Sequence, residues 1–475
     1  MSGALAELLV AALSDGRARV LGLEGDAWAS AALLALARRT AAALTTSGVQ
    51  PAEPVHLTIA NRPLDLGALL GVWLAGAVAV PVHRAAPAAA SDRLRRATGA
   101  RFTLDAGTLA LIADAPPRPR DLPADAALVL FTSGSTGQPK GVVLGHARFA
   151  GKLAVLGRLL ALRPDDVVVV PLQLNFVFGL WASLLAVLAG ARLILVPRFA
   201  PEPVAALLES GATVLAAVPS MLRLLGADRA PPAPALRTIL TGGEPLGSAL
   251  AGALGAAWPD AGLFDLYGLT ETGSCDFCLG PADRPQGVGT IGAPTEQVAF
   301  RLAAEDGAAA APGAAGELQI ATPFGMQGYL DDPALTAASF HAGFLRTGDL
   351  ARLRADGRLE LVGRIKEIIS RGGNKIAPAE IENLFASHPD VIGALCTGVP
   401  DERLGEALHV MLVPRPGALI GADALRGWAA ERLERYKLPD GIHLADALPL
   451  GPTGKADRGA LARRILRART TAAAD

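Results

Sequence analysis

From the amino terminus to about Gly287, apolar residues recur with two alternating periods. Leu33–Leu44 repeats them at helical spacing, and Val55–Ile59 is a short unbroken apolar run of the kind a buried strand shows. The alternation continues with helix Pro63–Leu74 and strand Ala77–Val82. Strands Val167–Val170, Arg192–Val196, Val214–Val218, Thr238–Leu240 and Gly262–Leu266 follow, with helices Gly179–Leu188, Pro203–Leu208, Ser220–Leu225 and Leu246–Leu254 between them. Helix and strand in alternation imply parallel-rich sheets covered on both faces. Ligands then sit at the loops that follow strand C-termini. Leu66–Val82 and Val177–Pro197 are long and apolar, but Gly76 and Gly190 break each into a buried helix, a turn and a buried strand, which argues against membrane spans. The first twenty residues lack a basic head and a cleavage site and read as an amphipathic helix, not a leader. A soluble, cytoplasmic protein is expected.

After Gly287 the pattern shortens. Gly289–Gly292, Val298–Leu302 and Glu317–Ile320 read as antiparallel strands of a small barrel. A hairpin joins Ala351–Leu353 to Leu359–Val362 through Ala355-Asp356-Gly357. The Ala/Gly/Pro-rich stretch Gly307–Gly316 reads as an exposed turn. Past Arg364 comes a smaller unit: helix Pro378–Leu384, strands Ile392–Val399 and Ala407–Pro414, helix Ala422–Leu433, strand Ile442–Leu444 and helix Arg458–Leu466, with Thr470–Asp475 expected to fray. The fold class expected is a large α/β amino-terminal domain, with two parallel-rich sheets and a small β-barrel, followed by a smaller α+β carboxy-terminal domain.

Composition narrows the function. The 475 residues are 51% hydrophobic and 19% charged, enough for a large core. Lys+Arg 44 against Asp+Glu 45 leaves a net charge of -1, which argues against nucleic acid or an anionic membrane as the main partner. Three cysteines do not make a disulfide framework. Cys275 and Cys278 form a lone C-x-x-C without a second pair and read as small core or pocket-lining residues. The seven histidines show no metal-ligand spacing.

Candidate chemistry begins in FTSGSTGQPKG, Phe131–Gly141, which lies between the apolar runs Ala126–Phe131 and Val142–Leu144. Glycines let several backbone N–H groups converge on an anion, and hydroxyls and Lys140 add donors and a positive charge. No Gly-Lys-Ser/Thr closes the loop, so it is not a Walker motif. A plain flexible surface loop fits the same residues, and the loop alone does not choose.

The segments downstream do. In order they are TGGEPL (Thr241–Leu246), DLYGLTET (Asp265–Thr272), RTGD (Arg346–Asp349), GRIKEIISRGGNKIAPAEIE (Gly363–Glu382) and PTGKADR (Pro452–Arg458). This ordered set, spanning nearly the whole chain, resembles the adenylate-forming (AMP-binding) superfamily, in its acyl-CoA synthetase branch. The resemblance implies a ligase in which a carboxylate attacks the α-phosphate of ATP, pyrophosphate leaves, and a thiol then takes the acyl group from the adenylate. It implies an adenylation domain over 1–362, a hinge at 363–368 and a mobile carboxy-terminal domain over 369–475.

The implied residue roles follow the chemistry. Bringing two anions to ~4 Å costs about 1 kcal/mol in water and several times more in a drier site. Lys455 is the matching lysine that would offset this, and Lys140 would clamp the leaving pyrophosphate. Thr132, Ser133, Gly134, Ser135, Thr136 and Gly137 would cradle the phosphates. Thr270 would bond the α-phosphate, and Glu271 would hold Mg²⁺ through a hard oxygen. Tyr267 and Gly268 would flank the adenine, with Gly243, Glu244 and Pro245 on its other side, and Asp265 would belong to the same ATP/AMP site. Asp349 would accept both ribose hydroxyls, and Arg364 would add a ribose or phosphate contact. Lys366 would sit at the pivot. Ser370, Arg371, Gly372 and Gly373 would face the pantetheine arm of coenzyme A, with Lys375 or Arg371 reaching its phosphates.

One departure bears on the substrate. Acyl-CoA synthetases often carry Phe-His where Asn175-Phe176 stands, and amino-acid-adenylating relatives place an Asp hereabouts. No acid occurs between Val167 and Ala200, so an α-ammonium group would be buried unpaired. The expected acyl pocket, lined by Asn175, Phe176, Phe178, Val218, Leu269 and Ser274, suits an apolar aromatic or short- to medium-chain acid. Asp276 is expected to face solvent, since an unpaired Asp is rarely buried. Expected partners are the acid, ATP and CoA, for a monomer or homodimer. Competing readings are loading of a separate carrier-protein thiol, a kinase releasing ADP, and a non-catalytic nucleotide-binding module.

Overall fold

The computed structural model describes residues 3–23, 25–113, 122–132, 139–226, 230–415, 417–449 and 456–472. Two large sheets carry the amino-terminal part. The nine-stranded sheet runs in the order Ala293–Pro294, Phe277–Leu279, Gly262–Tyr267, Thr238–Gly242, Val214–Ala216, Val167–Val170, Arg192–Leu195, Arg19–Gly22, Ala27–Ala29. Its six inner strands are parallel, as the alternating pattern implies. The seven-stranded sheet runs Gly328–Tyr329, Lys140–Gly145, Ala126–Thr132, Val78–His83, Pro54–Ile59, Phe102–Asp105, Leu111–Ala113.

One hydrophobic cluster takes residues from both sheets, among them Leu57, Leu128, Val168 and Leu193, and from the helices packed on them. Helix Ala4–Ser14 turns Leu5, Ala6, Leu9 and Leu13 into that core, which is the amphipathic helix read from the sequence. Trp73, on helix Pro63–Leu74, is wholly buried and donates its indole N–H to the carbonyl of Ala127 at 2.8 Å.

A polar tie joins the ends of the two sheets. Asn61 follows strand Pro54–Ile59, has φ 61°, and is wholly buried. Its amide donates to the carbonyls of Leu172 (2.7 Å) and Val196 (3.0 Å), just past two strands of the nine-stranded sheet. Its Oδ1 accepts from the backbone N–H of Leu174 at 2.8 Å. Asparagine is one of the few side-chain types that tolerates the left-handed region, so one residue serves both the turn and the tie.

The stretch expected to form a small barrel is a five-stranded antiparallel sheet: Ala299–Ala303, Ala315–Ala321, Phe344–Leu353 and Phe340–His341 in order, with Leu359–Arg364 also on Phe344–Leu353. Gly289–Gly292, expected as a strand, is turn and irregular backbone, and pairing starts at Ala293. Gly289 and Gly292 have φ 83° and 77°, which interrupts a ladder.

The smaller unit has its own sheet, Asn374–Ile376, Ile369–Arg371, Gly405–Pro414, Val391–Asp401, with Gly441–Leu444 parallel to Gly405–Pro414. Phe385, Ile381, Val410 and Leu412 form its core. Its last helix runs Arg458–Ala472, so the backbone at 470–472 is helical where fraying is expected. Among the described residues no helix is long and apolar enough to cross a membrane.

Asn61→Ala strands two carbonyls and one N–H in the core, and the loss of stability is about 2–4 kcal/mol. Urea unfolding measures it, and a loss below about 0.5 kcal/mol, the scale of an ordinary surface substitution, contradicts the tie.

Candidate active site

The glycine-rich loop is carried by a hairpin. Ala126–Thr132 and Lys140–Gly145 pair antiparallel, with Thr132 opposite Lys140, so the two ends of the loop leave the sheet side by side. Ser133, Gly134, Ser135, Thr136 and Gly137 lie outside the described residues, and so does Lys455. Lys140 places its ammonium 5.2 Å from the centroid of the Tyr329 ring. Tyr329 reaches this position because strand Gly328–Tyr329 pairs with Val142 and Val143. Its hydroxyl donates to Oε1 of Glu271 at 2.9 Å. Burial, then the Glu271 charge, push the Tyr329 hydroxyl above its ordinary range, so it stays protonated and keeps Glu271 aimed. The sequence singled out Lys140 and Glu271 but missed Tyr329, which lies 58 residues from its partner.

Glu271 stands in a short 3-10 turn, Thr270–Thr272, directly after strand Gly262–Tyr267 and Gly268-Leu269. Mg²⁺ keeps several waters and is held by one or two carboxylates together with substrate phosphates. A single carboxylate, joined through Tyr329 to Lys140, fits that requirement. Among the described residues no group of three or more His, Cys, Asp or Glu could form a protein cage for a metal.

The second carboxylate is Asp349, on the long strand Phe344–Leu353. The Tyr267 hydroxyl donates to its Oδ2 at 2.6 Å, and Arg364 Nε donates to its Oδ1 at 2.7 Å. Register supplies the second contact, since Asp349 and Arg364 face each other across the ladder. Each carboxylate oxygen keeps a further lone pair, so the group can still accept hydroxyls.

Strand Thr238–Gly242 ends at Gly243, whose φ is 80°. Glu244 then turns back and accepts from the backbone N–H and the hydroxyl of Ser220, both at 3.0 Å, which fixes the Gly243–Pro245 turn. A Cβ at Gly242 would stand 2.2 Å from the carbonyl oxygen of Leu266, so the two strand ends are packed at backbone distance. Asp265, two residues before Tyr267, is pushed up to about 7 by burial, with Arg284 only partly offsetting it.

At the segment expected to be the hinge, strand Leu359–Arg364 passes into the turn Ile365–Glu367. Burial and then the charges of Arg364 and Lys140 hold the Lys366 ammonium below its ordinary range. Three cations therefore act on one region, which suits a polyphosphate. Arg458, three residues past Lys455, forks onto Glu382 (2.6 and 3.0 Å) and donates to Glu367 at 3.0 Å, linking the end of the PTGKADR segment to the Ile365–Glu367 turn. Gly372 and Gly373 have φ 55° and 82° and make the turn between Ile369–Arg371 and Asn374–Ile376. The Ser370 N–H donates to Glu406. Arg371 is matched inside the small unit, with Nε on Asp440 at 2.9 Å and Nη1 on the Tyr436 carbonyl at 2.6 Å.

Around the expected acyl pocket, Phe178 and Trp181 stack at 4.9 Å, and the Trp181 indole N–H donates to the Ser274 hydroxyl at 3.3 Å. Asn175 Oδ1 is buried and finds no partner among the described residues. Phe176 and Val218 stand at helix starts, before Val177–Leu188 and Pro219–Leu224, and Leu269 just before the 3-10 turn.

Asp276 does not face solvent. It is wholly buried and paired with an equally buried Lys152, 3.3 Å from Oδ1. The expectation rested on Asp276 lacking a partner; Lys152 supplies one from helix His146–Leu160, 124 residues away. The signal for it was present, because Lys152 falls on the same helical stripe as Phe149, Leu153 and Leu156, all buried. Cys275 and Cys278 are buried free thiols, as expected of core residues.

Residues 12–120 and 105–330 match the model described as AMP-binding enzyme, and residues 380–455 that of the AMP-binding enzyme C-terminal domain. Feruloyl-CoA synthase from Amycolatopsis sp is 32% identical over 472 residues, 93% of this chain and 94% of that protein. Probable CoA ligase CCL9 from Humulus lupulus is 33% identical over 360 residues, 74% of this chain and 68% of that one. The o-succinylbenzoate CoA synthetase of Bacillus subtilis, solved with the acyl-adenylate OSB-AMP, matches with a TM-score of 0.83 at 26% identity, covering 97% of this chain and 98% of that one.

Asp265 gives a pH test. A carboxyl raised from 3.8 to about 7 binds more protons folded than unfolded, so stability falls as pH rises through that window and is level above it. The melting temperature of Asp265→Asn should gain on wild type between pH 5 and pH 8. An equal gap at both pH values contradicts the raised Asp265.

Proposed function

Since this chain belongs to the AMP-binding enzyme family and is an AMP-forming acid–CoA ligase, we propose that its substrate is an apolar carboxylic acid, aromatic in the first instance. The observation that carries this reading is the Lys152–Asp276 pair. Asp276, the acid that follows the expected pocket residue Ser274, is already paired with Lys152, so its carboxylate is not free for an α-ammonium group. The stacked Phe178–Trp181 rings offer a flat apolar wall, and the Ser274 hydroxyl, which accepts from Trp181, keeps a hydrogen to donate. The feruloyl-CoA synthase likeness points to the same class.

In this reading the ribose rests on Asp349, which Tyr267 and Arg364 hold in place. Thr270 faces the α-phosphate, and Asp265, Gly268 and the Gly243–Pro245 turn flank the adenine. Glu271, aimed by Tyr329, would hold Mg²⁺, which supplies charge neutralisation on the phosphates. Lys140 and the 132–137 loop hold the phosphates that leave. The substrate carboxylate oxygen bonds to the α-phosphorus as the bond to pyrophosphate breaks, and Lys455 stabilises the charge that develops. The small unit, 369–475, then turns about 363–368 and presents the Gly372-Gly373 turn to the pantetheine arm. The CoA sulfur bonds to the acyl carbon, and AMP leaves with the carboxylate oxygen. Arg371, matched by Asp440, serves the small unit's own structure, which leaves Lys375 for the CoA phosphates.

A hydroxamate and pyrophosphate-release screen across aromatic and aliphatic acids, with and without CoA, tests the reading. Expected is AMP with acyl-CoA, strongest with aromatic acids. ADP as product, a preference for amino acids, or transfer only to a carrier-protein thiol overturns it. Lys455→Ala should slow pyrophosphate exchange by about 10²–10³-fold while Mg·ATP binding is largely kept. Normal exchange in that variant removes Lys455 from the chemistry.

A further inference from the structure

The residues behind the active-site turn pose a separate question. Gly273, Ser274 and Cys275 follow the Thr270–Thr272 turn with φ 80°, 74° and 52°. Three successive left-handed residues are unusual, and two of them are not glycine. Such a conformation persists only where the surroundings over-determine it.

Here they do. Lys152 Nζ donates to the Cys275 carbonyl at 3.2 Å and to Asp276 Oδ1 at 3.3 Å. Asp276 Oδ2 accepts from the Thr272 hydroxyl, and the Asp276 N–H donates to the Tyr267 carbonyl at 2.7 Å. Thr295 adds a second donor to Cys275 O at 3.0 Å. The turn lies so tightly on the strand end that a Cβ at Gly268 would stand 2.3 Å from the Cys275 nitrogen. Burial follows the same division: Thr272 to Asp276 are buried, while Thr270 and Glu271 are partly open. Lys152 and Asp276 thus lie behind the turn, and the phosphate-facing residues lie in front of it.

We propose that Lys152 and Asp276 are positioning residues: the buried pair holds the left-handed Gly273–Cys275 turn and, through it, sets Thr270 and Glu271 for Mg·ATP. A buried ion pair is weak evidence for stability, because matched neutral side chains of similar volume often fold as well. Its retention here is explained by placement. Met or Asn in these positions fills the space but does not pull the Cys275 carbonyl. This role rests on the ligase reading for its purpose, though not for its test.

The test is the neutral double variant Lys152→Met/Asp276→Asn, which removes both charges and leaves an amide oxygen for Thr272. Mg·ATP affinity is measured by calorimetry with no acid present, beside the melting temperature. Expected is a melting temperature well above that of either single variant, with Mg·ATP affinity about tenfold weaker, the scale seen when the support of a metal ligand is lost. Wild-type affinity in the double variant overturns the proposal and leaves the pair purely structural. Thr295→Val decides the matter if the double variant does not fold, since it removes the other donor to Cys275 O without touching a charge. A weakening of Mg·ATP binding of about twofold or more is expected, and none overturns the proposal. If wild type binds Mg·ATP yet adenylates no acid, the ligase reading fails while the comparison of variants still stands.

Discussion

Three strands from two sheets meet on one carboxylate. Asp349 and Arg364 stand on adjacent strands of the antiparallel sheet, Tyr267 closes a strand of the nine-stranded sheet, and Arg364 is the last strand residue before the Ile365–Glu367 turn. A charge on a nearly buried carboxylate needs hydrogen bonds and a partner. Tyr267 and Arg364 supply both, so the electrostatic need of one group ties the ends of two strands, Gly262–Tyr267 and Leu359–Arg364, to the middle of a third. The start of the smaller unit, just past Arg364, follows from it.

Around this point the charges are arranged by sign. Burial first, and then the nearby charges of Arg364 and Lys140, hold the Lys366 ammonium below its ordinary range. Cations that repel one another gain from an anion placed among them, so a polyphosphate would relieve the repulsion. Glu271 lies against this group through Tyr329, which also lies under Lys140. Behind Glu271 the Lys152–Asp276 pair is matched and dry. The partly open Glu271 and the fully buried Lys152–Asp276 pair therefore lie on opposite sides of one turn.

How far this was legible in the sequence depends on the range of each interaction. Glu271, Asp349, Arg364 and Lys140 stand in short motifs, because a turn that follows a strand needs its glycines and its acid close together in the chain. The strands and helices were legible from their periods for the same local reason. Tyr329 was not, since its pairing with Glu271 depends on a two-residue edge strand that no period marks. Asp276 was misplaced because burial of a charge depends on its partner, and that partner lies on a distant helix. Asn61 shows the same limit: its left-handed backbone suits asparagine, but its three bonds span two sheets. Gly289–Gly292 failed in the other direction, as an alternating pattern whose glycines close a turn.

These parts lead to one chemical claim: a substrate carboxylate oxygen becomes bonded to the α-phosphorus of ATP. Labelling both carboxylate oxygens of an accepted acid with oxygen-18, then analysing the AMP after turnover with CoA, tests it most directly. The account predicts one labelled oxygen in each AMP and one retained in the thioester. Unlabelled AMP, with the label found in inorganic phosphate, would contradict it.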